Sequence, residues 1–279
     1  MTYRTILAYL DDSERTPTLV AVAAELARAH EARLVGLAPT GWLDIPGRPR
    51  PALAGMEYIP FTTEALLERA RKVASAFEDQ ARGLGLGNVE ARVQEGDPVP
   101  STLMHGRTAD LVVISQSDHH APTPAVPWEF PPQVVMGCGR PVLVVPRSGE
   151  VGAVGRHVLL AWNGSREATR AVADSLPLLC KAQKVEVLCF EEAPSPGLQL
   201  QPRTADLSAW LSIHGVRAGL VHERRRGNVG AELIEHASKA GAALVVMGCY
   251  GHSRLSEFVL GGASRTMLED MKVPVLMSH

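Results

Sequence analysis

The sequence predicts an α/β protein built from two tandem, doubly wound parallel-sheet domains. Three observations predict it. The chain repeats itself. Apolar runs of strand length alternate with stretches of helix length. The runs LVVIS (from Leu111) and ALVVMG (from Ala243) are continuously apolar, as strands covered on both faces of a parallel sheet must be.

The repeat is read directly. Ile6 to Leu37 and Val158 to Phe190 each hold an apolar run, an Asp/Asn-Xaa-Ser turn, a helix-like stretch and a second apolar run. Ile6, Asp11 and Ser13 fall on Val158, Asn163 and Ser165 at a constant offset of 152. Further on, DLVVISQSDHH (from Asp110) falls on ALVVMGCYGH, and RPVLVVP (from Arg140) on VPVLMSH (from Val273), now at an offset of 133. The N-terminal copy is therefore about 19 residues longer in its middle, and the surplus lies in the Pro- and Gly-rich excursion Pro39–Thr62. Arg147–Arg156, RSGEVGAVGR, reads as the linker, which gives domains at 1–148 and 155–279.

In the second copy the elements follow in order. Strands are expected at His157–Trp162, Val185–Phe190, Val216–His222, Ala243–Met247 and Pro274–Met277. Helices are expected at Arg166–Leu179, Thr204–His214, Val229–Ala240 and Ala263–Met271. Asn163 and Gly248 then both stand at carboxyl ends of strands, where doubly wound sheets bind ligands.

Bulk properties narrow the partners. With 279 residues and 46% hydrophobic content the chain can bury two cores, and a net charge of −2 draws in neither nucleic acid nor an acidic membrane. No apolar run is long enough to span a bilayer, and MTYRTILAYLDD lacks a signal-peptide layout, so a cytoplasmic location is expected. The four scattered cysteines, Cys138, Cys180, Cys189 and Cys249, point to a reducing compartment.

The stretch GCYGHSRLSEFVLGG, Gly248 to Gly262, leaves one apolar run and opens the last helix. Such a loop presents backbone N–H groups at the positive end of a helix, a ready anion site. Gly248 and Gly251 are expected to let a phosphate approach the backbone, and Ser264 to cap the helix or reach a phosphate oxygen. Turn-making alone would also account for glycines after a strand. The phosphate-loop motif GxxxxGK[ST] is absent, and no GxGxxG follows the first strand.

Together AWNGSREATRAV, ALVVMGCYGHS and LGGASRTMLEDMKVPVLMSH resemble the universal stress protein family, in a tandem two-domain form. The resemblance covers nearly the whole chain apart from Pro39–Thr62. It implies five-stranded doubly wound domains, like those of the adenine nucleotide alpha hydrolases, paired through their last strands into an intramolecular pseudo-dimer. In the family's nucleotide-binding members the loop G-x2-G-x9-G-[S/T] holds the phosphates of ATP, and Gly248, Gly251 and Gly261 stand at its glycines. The ends of the first two strands hold the adenosine. The resemblance thereby implies a cofactor-binding set of Ala161, Trp162, Asn163, Cys189, Gly248, Gly251, His252, Gly261, Gly262, Ala263 and Ser264.

Three departures stand out. Gly262 replaces the Ser or Thr, Asn163 replaces an acidic residue, and in the first copy Ser115, Asp118 and Trp128 stand where the glycines should be. A carboxylate at Asp118 and a ring at Trp128 would fill a phosphate cradle, so at most one site is expected, in the second copy.

The remaining candidates are weaker. Arg224, Arg225 and Arg226 would add positive charge on the same rim, or form a solvated face. His119 and His120 beside Asp118 lack further ligands at metal spacing, and no magnesium site is read. Cys249, near a helix start, would have a depressed thiol pKa if that dipole acts on it. Ser13 and Ser165 read as helix caps. Neither GxSxG nor HExxH occurs, so no catalytic residue is assigned. The function expected is a cytoplasmic stress-response protein binding ATP or a related adenine nucleotide with little or no turnover. The alternatives are an interaction scaffold without nucleotide and a weak ATP hydrolase. Beyond the intramolecular domain pair, a homodimer is the further assembly considered.

Overall fold

The computed structural model describes residues 2–41, 63–117, 129–191, 204–250 and 262–279. The first half runs β1 (Thr5–Tyr9), α1 (Thr16–His30), β2 (Arg33–Pro39), α2 (Thr63–Gly83), β3 (Val89–Gln94), α3 (Pro98–Gly106), β4 (Leu111–Ser115), α4 (Phe130–Gly137) and β5 (Val142–Val145). The second runs β6 (His157–Ala161), α5 (Arg166–Leu179), β7 (Lys184–Glu191), α6 (Thr204–Ile213), β8 (Ala218–Arg224), α7 (Val229–Ala240), β9 (Leu244–Gly248), α8 (Gly262–Asp270) and β10 (Val275–Ser278).

All described strands join one sheet in the order β3-β2-β1-β4-β5-β10-β9-β6-β7-β8. Each half is parallel throughout, and its strand order mirrors the other's. The halves meet where β5 and β10 pair antiparallel, with Val144 opposite Val275 and Val142 opposite Met277. The strands nearest this seam are apolar on both faces because both faces are covered. Leu111–Ile114, Val142–Val145, Leu244–Met247 and Val275–Met277 are all buried. One face packs on α1, α2, α5 and α6, the other on α3, α4, α7 and α8.

Most expected elements lie where the sequence places them, and α5 and α7 have the expected bounds. β8 starts two residues late, at Ala218 rather than Val216. Val216 instead closes α6: its N–H donates to the Leu211 carbonyl at 2.9 Å, after a turn through Gly215 at φ +80°. The linker 147–156 holds neither helix nor strand. Most of the Pro39–Thr62 excursion lies outside the described residues.

Side chains also tie the halves. Gln116, buried just after β4, donates from Nε2 to the carbonyls of Leu268 (2.8 Å) and Glu269 (2.9 Å), two of the orphan acceptors at the end of α8. Its Oε1 accepts from the Arg147 N–H at 2.8 Å. Tyr3 donates its hydroxyl to the Asp174 carbonyl at 2.8 Å.

Replacing Gln116 by Ala strands one buried N–H and two carbonyls. A loss of about 1–3 kcal/mol is expected, read as a lower urea midpoint at unchanged slope; a midpoint equal to wild type would show the bridge to be dispensable.

Candidate functional site

In the second half the chain proceeds outward from β6 through β7 to β8, then returns to β9 and β10 on the other side. β6 and β9 are neighbours, so the order reverses between them. The crevice at their carboxyl ends is the topological switch point. The helices α5, α6, α7 and α8 follow β6, β7, β8 and β9 in turn.

α5 starts with a well-made cap. Ser165 Oγ accepts from the Ala168 N–H at 3.2 Å, as expected. Ser13 in the first half is not a cap: α1 begins only at Thr16, and Ser13 Oγ donates to Asp11 Oδ1 at 2.6 Å. The turns before these helices differ at one atom. Asp11 Oδ1 accepts from the Ser13 N–H (3.0 Å), Ser13 Oγ and Thr16 Oγ1 (2.6 Å), while Asn163 Oδ1 accepts from the Ser165 N–H at 3.1 Å. The same turn therefore leaves a carboxylate Oδ2 at half-buried Asp11 and an amide Nδ2 at exposed Asn163, so an acceptor becomes a donor.

Gly248 needs its missing side chain for a reason other than phosphate approach. A Cβ there would lie 2.3 Å from the Ala168 nitrogen and 2.4 Å from the Glu167 carbonyl carbon. The first turn of α5 occupies that space, and its close approach by itself requires a glycine at 248. In the first half the equivalent residue is Ser115. Glu167 itself is buried; burial alone would raise its carboxyl pKa, but hydrogen bonds from its own amide, Arg166 and Ser165 outweigh this and lower it. It stays ionised at the positive end of α5.

Cys249 follows on the buried side. Its Sγ donates to the Ser278 carbonyl at 3.3 Å, and burial, with Glu167 adding to it, pushes its thiol far above the ordinary value. Desolvation therefore outweighs any pull of the helix start on this thiol. Tyr250 takes a left-handed backbone, φ +58°, and its N–H donates to Ser264 Oγ at 3.3 Å. Ser264 is buried in that contact, so its hydroxyl holds the loop's start to α8 rather than capping the helix.

α8 opens at Gly262, which is exposed, and the N–H groups of Gly262, Ala263 and Ser264 have no intrahelical acceptor. Among the described residues, a Cβ on Gly262 would meet nothing within 4 Å. α7 buttresses α8. A Cβ on Gly230 would lie 2.7 Å from the Ala263 carbonyl oxygen, and Asn228, the cap of α7, donates to Thr266 Oγ1 at 3.1 Å. Of the three arginines, Arg226 is engaged by Glu235 at 3.3 Å and Glu232 at 3.8 Å. Arg225 donates to the Gly227 carbonyl.

Ala161 ends β6, and Trp162 continues it, donating its N–H to the Leu188 carbonyl at 2.9 Å. The Trp162 indole nitrogen is buried without a partner among the described residues. Cys189 is buried two residues inside the end of β7, and burial lifts its thiol to about 11. Gly251, His252 and Gly261 lie outside the described residues, as do Asp118, His119, His120 and Trp128. Sequence reasoning missed Glu167 and Tyr250. The Ser-x-Glu spacing after the cap gave a signal for Glu167; a left-handed Tyr carries none. Among the described residues no His, Cys, Asp and Glu group has metal-holding geometry, and no helix is long and apolar enough to cross a membrane.

Comparison with known proteins follows the same division. Residues 155–279 match the Universal stress protein family. Solved structures match along the whole chain. A universal stress protein from Archaeoglobus fulgidus DSM 4304 is 16% identical, covering 98% of this chain and 97% of its own at a TM-score of 0.73. A functionally unknown protein from Pseudomonas aeruginosa PAO1 is 15% identical, covering 99% and 92% at a TM-score of 0.60. These likenesses establish the α/β fold. No curated protein matches the chain in sequence.

Two glycines should separate cleanly. Gly248→Ala forces a Cβ into helix backbone and should cost about 1–3 kcal/mol or more, whereas Gly262→Ala should stay within about 0.5 kcal/mol; chemical denaturation of both compares them. In thiol labelling of the folded protein, exposed Cys180 should react fast, and Cys138, Cys189 and Cys249 only on unfolding. Rapid modification of Cys249 would contradict its burial.

Proposed function

Because residues 155–279 belong to the universal stress protein family, we propose that this chain binds an adenine nucleotide, ATP or a relative, at the carboxyl rim of its second half, as a cytoplasmic stress-response protein with little or no turnover. One observation carries the reading: Ser264 ties the first turn of α8 to the carboxyl end of β9, the neighbour of β6, and a Cβ on its leading residue, Gly262, would meet none of the described residues within 4 Å. Free N–H groups at a helix start favour an anion there. In this reading Gly251, His252 and Gly261 complete the phosphate end with Ala263. Asn163 and the end of β7 face the nucleoside.

The first half, 1–148, then acts as a partner domain without a cradle, and 155–279 as the binding domain. The antiparallel seam makes them an intramolecular pair; a homodimer of such chains is the next level of assembly.

A second reading has its own support. α5 fills the space at Gly248, Arg226 is committed to acids, and Glu167 puts a negative charge beside the rim. Each feature weakens a phosphate site, and together they favour an interaction scaffold that carries no nucleotide. An ATP hydrolase would be recognised by phosphate release that disappears with Gly251→Asp.

Equilibrium dialysis and thermal shift with ATP decide between the two. Binding in the wild type, lost in Gly251→Asp and about tenfold tighter in Gly262→Ser, is expected; the added hydroxyl would supply one hydrogen bond to a charged group. No binding at millimolar ATP, with Gly251→Asp indistinguishable from wild type, would leave the scaffold.

A further inference from the structure

His105 and His236 occupy equivalent places in the repeat. Each lies eight residues beyond the residue that precedes its helix, Asp97 before α3 and Asn228 before α7. Each turns its ring toward the outer strands of its own half. Their surroundings are opposite in charge.

His105 Nδ1 stands 3.1 Å from an Arg92 guanidinium nitrogen, which can only donate, and Nε2 stands 3.4 Å from Gln94 Oε1. That ring must accept at Nδ1 and is neutral. Burial and Arg92 both lower its pKa. His236 Nδ1 stands 2.8 Å from Glu223 Oε1 on β8, and Nε2 stands 2.7 Å from Glu186 Oε1 on β7. Ionised carboxylates only accept, so both ring nitrogens must carry protons for both bonds to exist.

We propose that His236 is a pH-sensitive clamp: as an imidazolium it ties α7 to both β7 and β8, and on losing a proton it releases one of the two strands. The clamp stands whether or not the rim binds a nucleotide.

The charges around it bear this out. On β7, Lys184 lies 3.0 Å from the other oxygen of Glu186, which orients that carboxylate toward the ring. On β8, Glu223 is the acid at the ring; His222 and Arg224 are its chain neighbours. On α7, Glu232 is taken up by the amides of Arg226 and Gly227, and Glu235 by Arg226 and Lys239. On α8, Arg265 and Glu269 pair with each other. The clamp acids are thus the two carboxylates in contact with the ring. Burial opposes the imidazolium, but hydrogen bonds to Glu186 and Glu223 outweigh it and raise its pKa; the same contact lowers that of Glu186 against its own burial.

The sign follows. A raised folded-state pKa gives stability that is fully present below the unfolded imidazole value of about 6.5 and is lost as pH rises through the folded value. The Glu186 contribution is present above the unfolded carboxyl value of about 4.3 and is lost as pH falls through its lowered folded value. The clamp is therefore closed in mildly acidic solution and opens on the alkaline side. Because α7 packs on α8 at Gly230, opening loosens the support of the rim helix.

The test is a proton NMR titration of His236 in the full chain, with α7 amide exchange followed in parallel. The His236 midpoint should lie above about 6.5 and fall by at least about half a pH unit in Glu223→Gln or Glu186→Gln. After correction for intrinsic base catalysis, α7 exchange should speed up as pH passes that midpoint, while α3 exchange does not. A wild-type midpoint at or below 6.5, or α7 protection that ignores the titration, overturns the clamp. Both readings come from the unmodified protein, so a poorly folding variant cannot rescue the idea. ATP binding is a separate assay, so its failure would leave the clamp untouched.

Discussion

The antiparallel pairing of β5 with β10 is the interaction on which the rest of the architecture depends. Both strands have four residues, and all eight are buried. Without the pairing each half would end in a bare, wholly apolar strand edge, the feature that natural sheets are built to avoid. With it, a weak edge becomes the centre of the sheet, and the polar outer strands β3 and β8 become the edges. Gln116 and Tyr3 then find partners in the other half, which neither half alone could offer.

The seam relates two copies whose rims differ. On the second half's rim, Gly248 admits the first turn of α5, so the helix starts tight against β9. On the first half's rim, Ser115 stands in that place and α1 starts only at Thr16. The same asymmetry runs through the turn, where a carboxylate becomes an amide, and through the helix histidines, where arginine in one half is replaced by acids in the other. One backbone plan thus carries two electrostatic environments.

Much of this was legible in the sequence. Continuous apolar runs gave the central strands, since only a strand covered on both sides can omit polar residues. The cap Ser165 marked where α5 begins. The offsets of the repeat outlined two halves, and the family resemblance implied their pairing through the last strands. What escaped reading has a common cause. The role of Gly248 depends on what packs against it, and a glycine that makes room for a helix looks the same in sequence as one that makes room for a phosphate. At Cys249, likewise, closeness to a helix start is visible along the chain but burial is not. The histidine at 236 drew no attention, since its two acids lie on strands 50 and 13 residues away.

The position of the seam also sets an order of events during synthesis. β5 is complete at Val145, while the strand that covers it begins only at Val275, some 130 residues later. At ordinary ribosomal speeds that interval is on the order of 10 s. For that time the nascent first half carries a finished, uncovered apolar edge, and nearby nascent copies offer the same edge. The chain therefore gains a central sheet at the expense of a waiting period, during which chaperones, or the speed of translation itself, decide whether β5 meets its own β10 or a stranger's.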